Sequence, residues 1–184
     1  ILKKLGNNQE IIFDHVLEAF EAFSTIVAQQ PAPALKESIW SYCLEESDKI
    51  IYRANQIDLQ FYKILLKLID SDQKAELLLQ RVDEQILKYK KENRPLSEIL
   101  LTKITLLEKT GHQKEVKRLI EENINEPDIL FFAIGKAIKL KDFSKAKILA
   151  TEGLKIDKLK YDQFRLKKIL LQIAREENDS KAIV

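Results

Sequence analysis

Apolar residues recur at steps of three and four along almost the whole chain, the spacing that gathers side chains on one face of an α-helix. Ile12, Val16, Ala19, Phe20, Phe23 and Val27 define the first stripe, and Gln30-Pro31-Ala32-Pro33 ends it. Proline lacks an N–H donor and suits only a first helical turn. A second helix is therefore predicted from Pro33, with Leu35, Ile39, Tyr42 and Cys43 inward, running on through Ile50 and Ala54. Asp58 is the expected N-cap of a third, which carries Tyr62, Leu65, Leu66 and Ile69. Asp70-Ser71-Asp72 breaks the pattern and offers cap oxygens. The fourth helix then carries Ala75, Leu78, Leu79, Val82, Ile86 and Tyr89 up to Asn93-Arg94-Pro95.

Leu96, Leu100, Ile104 and Leu107 carry a fifth helix to Thr110-Gly111, where glycine takes the left-handed position past a helix end. Val116, Leu119 and Ile120 mark a short sixth, broken at Asn125-Glu126-Pro127. Ala133, Ile134, Ala137 and Ile138 mark a seventh, closed by Lys141-Asp142. Ala146, Leu149 and Ala150 mark an eighth, ending at Gly153. The ninth is expected near Lys160, with Tyr161, Phe164, Ile169, Leu170 and Ile173 inward. A turn at Glu177-Asn178-Asp179-Ser180 then leads to the stub of a tenth at Lys181-Ala182-Ile183-Val184.

The turns are alike. Ser71-Asp72-Gln73-Lys74-Ala75, Gly111-His112-Gln113-Lys114-Glu115-Val116, Lys141-Asp142-Phe143-Ser144-Lys145-Ala146 and Asn178-Asp179-Ser180-Lys181-Ala182 each put a small apolar residue or Val at the start of the next stripe. Val116, Ala146 and Ala182 recur at roughly 30 to 36 residues, the period of helical-hairpin repeats. The segment from Lys141 to Gly153 resembles a tetratricopeptide-type helix-turn-helix. Leu107-Glu108-Lys109-Thr110-Gly111, Ile120-Glu121-Glu122-Asn123 with Pro127, Ala133-Ile134, Lys136-Ala137-Ile138, Asp142-Phe143 and Glu152-Gly153 are similar in order to the helical C-terminal region of bacterial SWIM-type zinc-finger proteins. That likeness spans about residues 95–184 and implies a helical scaffold. The Cys/His set that binds zinc in those proteins is missing, and Leu130-Phe131 stand where more polar residues are expected. The resemblance therefore implies no metal site in this chain.

Composition narrows the picture. Gly and Pro number only 4 each among 184 residues, which leaves few turns and suits an all-α chain. The 31 basic and 29 acidic side chains are interleaved, for a net charge of +2, so the bulk field does not point to nucleic acid or a membrane surface. No apolar run approaches the length of a membrane span. Ile1-Leu2-Lys3-Lys4-Leu5-Gly6 lacks the apolar region of a signal peptide, so a cytoplasmic location is expected. The first residue is Ile and methionine is absent, which reads as a piece of a longer chain.

Candidate chemistry is sparse. Gly6, Gly111, Gly135 and Gly153 are isolated and make no phosphate cradle. Cys43, His15 and His112 are too few for a closed zinc site. Cys43 lies on the stripe with Ile39 and reads as a buried small hydrophobe, His112 as a turn residue, and His15 as a half-buried packing residue. Glu45-Glu46, Glu121-Glu122 and Glu176-Glu177 are adjacent on helices and so diverge by about 100°. In Lys88-Tyr89-Lys90-Lys91 the tyrosine continues an apolar stripe, and the lysines favour a helix C-terminus. Leu130-Phe131-Phe132 adds more apolar bulk than one face needs. Phe131, Tyr161 and Phe164 are the candidate partner-binding residues, with core packing as the competing reading.

The expectation is an all-α, α-solenoid-like stack of antiparallel helix hairpins, one repeat domain over residues 1–184. Its expected function is a non-enzymatic scaffold for protein–protein interaction, an accessory region of a larger regulatory protein. The alternative is a nucleic-acid-associated module of the SWIM type. No cofactor, metal or membrane contact is expected, and nucleic acid is not the expected partner of this segment.

Overall fold

The computed structural model describes residues 9–54 and 57–177, with side chains from 15–52, 57–156 and 159–177. The described residues form α-helices joined by short turns, with no strand among them. The helices are α1 (Gln9–Ala28), α2 (Pro33–Ser47), α3 (Ile50–Ala54), α4 (Asp58–Leu68), α5 (Asp72–Lys91), α6 (Ser97–Lys109), α7 (Gln113–Glu122), α8 (Pro127–Lys139), α9 (Phe143–Gly153) and α10 (Gln163–Glu176). A 3₁₀ helix, Asp157–Asp162, precedes α10. They gather into two compact units, Ile1–Gln85 and Ile86–Val184.

In the first unit α2 and α1 pack on α4. The α4 core residues Phe61, Tyr62, Ile64, Leu65 and Leu68 are buried with Ile39, Trp40 and Cys43 of α2. Phe61 is the hub of an aromatic cluster, edge-on to Phe20 at 4.8 Å and to Tyr52 at 4.9 Å. Arg81 pairs with Asp48 at 2.7 Å, and Lys74 reaches Glu37 at 2.6 Å while lying 5.1 Å from the Trp40 ring centre.

Several sequence expectations are corrected here. The second helix does not run through Ile50: it stops at Ser47, and Ile50 opens a separate short helix with its side chain exposed. Leu35 and Tyr42 are both 46% exposed, because the inward stripe of α2 is Ile39, Trp40, Cys43, Glu46 and Ser47. Ala19 is exposed on α1. Asp58 is not a cap but the first helical residue of α4, buried and accepting a 3.1 Å hydrogen bond from Gln85 Nε2. Ser71 does cap α5, its Oγ accepting from the Lys74 N–H.

In the second unit α6 packs on α7 and α8, α8 on α9, and α9 on α10. Leu130, Ile134, Ala137, Ala146, Ala150, Leu159, Leu166 and Ile173 form one buried cluster of its core. The turns after α6 and α8 have the same hydrogen bonds. His112 N–H donates to the Leu107 carbonyl and Asp142 N–H to the Ala137 carbonyl, both at 2.9 Å, with Gly111 and Lys141 in the left-handed region between them. Burial follows the same thirty-residue offset: Ile99 and Ile129, Ile104 and Ile134, Leu107 and Ala137, Val116 and Ala146 are all buried.

Gly153 is the last residue of α9 and is not left-handed. A Cβ there would lie 2.6 Å from Leu130 Cδ2 and 3.1 Å from Leu166 Cδ1, so its role is close approach of α9 to α8 and α10. The stub expected at 181–184 lies outside the described residues.

Candidate functional site

The last helix begins later than its periodicity suggests. Buried Leu159, Leu166 and Ile173 recur every seventh residue and hold the inward positions. Tyr161 and Phe164 fall between them and turn outward, 98% and 81% exposed. Their expected burial is therefore corrected: neither packs in the core. Arg165, next to Phe164, places its guanidinium 3.7 Å from the ring centre of Phe131, a cation–π contact between α10 and α8.

Phe131 is half-buried under that cation and, with Phe132, lines a hollow of about 410 Å³ beside Gly135 and Lys139. The structure thus joins Phe131 to the turn bearing Phe164 through Arg165, while Tyr161 stands one 3₁₀ turn ahead. The surplus bulk of Leu130-Phe131-Phe132 has a physical reason. Because α8 touches α6, α7, α9 and the 3₁₀ helix, its apolar cover is needed on more than one side.

A larger groove, about 480 Å³, lies between α7, α8 and α9. Val116, Ile120, Ala133, Ala137 and Leu149 form its apolar wall, and Lys117, Lys136, Lys145 and Asp142 its polar edge. Sequence reading did not find it, since three helices contribute to it and each contributes residues that look like ordinary core. The Asp142 side chain is committed to capping α9 at 3.0 Å, and Lys136 pairs with Glu108.

The remaining reactive groups are separated. Cys43 is buried, as expected, and burial pushes its thiol up to about 12. His15 is exposed rather than half-buried and bonds Glu18 at 3.1 Å. His112 sits in the turn before α7, with Nδ1 2.8 Å from the Thr110 hydroxyl. Among the described residues neither histidine has Cys43 or a serine as its hydrogen-bond partner. Among the described residues no group of three or more His, Cys, Asp or Glu side chains is placed to hold a metal ion, and no helix is long and apolar enough to cross a membrane. Glu46 is buried on α2, where the hydrogen bond from Lys49 lowers its carboxyl pKa and outweighs the effect of burial.

Comparison with protein-family models, curated proteins and solved structures gave no match. The candidate site therefore stands on its own geometry, and the feature that distinguishes it is two large aromatic side chains held in solvent by a backbone pinned at Leu159 and Leu166.

Proposed function

We propose that this chain is a non-enzymatic helical-repeat scaffold of the tetratricopeptide type, its hairpins stacked in solenoid fashion, and that it binds a protein partner through the surface bearing Tyr161 and Phe164. The observation that carries the binding role is their exposure, 98% and 81%. Aromatic side chains offer large contact area at low entropic cost, since few torsions are frozen on docking. Phe131 supports this surface from below through Arg165. The repeat reading is supported by the matched turns at Gly111 and Lys141 and by the burial that recurs thirty residues apart.

Photo-crosslinking tests the binding role. A benzoyl-phenylalanine at position 164, in extract from the source cells, should trap a discrete protein adduct that disappears in the Tyr161→Ser background. The same probe in place of Ile148, which is 64% exposed, is the control. Identical adducts at 164 and 148, or none at 164, would overturn the proposal. Adducts to nucleic acid at 164 would favour the SWIM-type alternative.

A further inference from the structure

The surface around Tyr161 and Phe164 differs in charge from the rest of the chain. Within four residues of Phe164 stand Lys160, Arg165, Lys167 and Lys168 against one acidic residue, Asp162. The rest of the chain carries 27 basic and 28 acidic side chains, so it is balanced in charge. Lys160, Lys167 and Lys168 are exposed. Lys167 and Lys168 stand three and four positions beyond Phe164, which puts all three on one side of α10, and Tyr161 precedes Phe164 by three. Arg165 is held over Phe131, and Leu159 and Leu166 are fully buried, so the backbone presenting this stripe is fixed before anything docks.

We infer that the stripe docks a short acidic segment of another protein, an inference that rests on the partner-binding role above. Apolar side chains of that segment seat against Tyr161 and Phe164, and its carboxylates face Lys160, Lys167 and Lys168. Charge complementarity of this kind sets orientation and speeds encounter. The balanced charge of the remaining chain favours a short ligand. Those remaining charges are interleaved and offer no continuing basic track for the phosphates of a long nucleic-acid strand, whereas a peptide of a few residues stays within the local basic field.

Selection from random displayed peptides on the full chain, run beside selection from random single-stranded DNA, tests this. The expected peptides combine Asp or Glu with large apolar residues. Their affinity should fall about tenfold or more in Lys167→Glu/Lys168→Glu and weaken as salt is raised. Neutral or basic peptides that bind the charge-reversed variant equally well would overturn the acidic ligand and leave the partner-binding role standing. Enrichment no greater than on the Tyr161→Ser/Phe164→Ser variant would overturn both, as would DNA enrichment without peptide enrichment.

Discussion

Gly111 and Lys141 occupy the same left-handed position, two residues past the ends of α6 and α8, at φ +79° and +58°. Glycine has no Cβ to clash there, whereas a lysine is strained by roughly 1 kcal/mol. Lys141→Gly should therefore stabilise the protein by about 0.5–1 kcal/mol, and Gly111→Ala should destabilise it by about 1 kcal/mol. Urea titrations check both. A destabilised Lys141→Gly would mean that the two turns are not equivalent.

Ala146 is fully buried where α9 leaves its turn, and Lys145 beside it is exposed. Ala146→Leu should destabilise the fold by about 1–3 kcal/mol through overpacking. Lys145→Leu should change stability by less than about 0.5 kcal/mol, since the cap bond of Asp142 uses the backbone N–H of residue 145. The opposite order in denaturant melts would show the helix phase to be wrong.

Two glycines should respond with opposite signs. At Gly135, inside α8, an added Cβ meets nothing within 4 Å, so Gly135→Ala should stabilise by about 0.5–1 kcal/mol. At Gly153 a side chain runs into Leu130 and Leu166, and Gly153→Val should destabilise by about 1–3 kcal/mol. Thermal melts of the pair, if both variants gained stability, would refute the close approach of α9 to α8 and α10.

Burial raises the Cys43 thiol from 9.0 to about 12, and burial with the Glu46 hydrogen bond raises the Tyr52 hydroxyl from 10.0 to about 12. In both groups the unfolded chain loses its proton first. Their contribution to stability is thus complete below pH 9 and lost as pH climbs toward 12. The urea midpoint should hold steady from about pH 7 to 8.5 and fall above about pH 9.5. At neutral pH a thiol reagent should modify Cys43 only on unfolding. Rapid labelling of the native protein would contradict this placement.

The helical class was legible because the three-and-four spacing is strong and turn residues are scarce. Gly111, the Ser71 cap and buried Cys43 followed from local rules and stand where those rules put them. On α2 the stripe holds at Ile39 and Cys43, which are buried, but not at Leu35 and Tyr42, which fit it on paper as well as Trp40 does; only packing on α4 selects Trp40 in their place. The start of α10 was misread for a related reason. The 3₁₀ turn, with three residues per turn, changes the period just before Gln163, so Tyr161 and Phe164 fit a helical stripe on paper while Leu159, Leu166 and Ile173 take the interior. The groove between α7, α8 and α9 had no signal in any one helix.

Those two aromatics decide the central claim, and their energetics can be read without knowing the partner. If Tyr161 and Phe164 stand in solvent and are kept for docking, the Tyr161→Ser/Phe164→Ser variant should unfold in urea within about 0.5 kcal/mol of the parent protein. If they belong to the core, truncating even one of them should cost about 3–5 kcal/mol, and the double variant would melt far earlier. An unchanged midpoint is the result expected from their exposure, and a loss of several kcal/mol would contradict it.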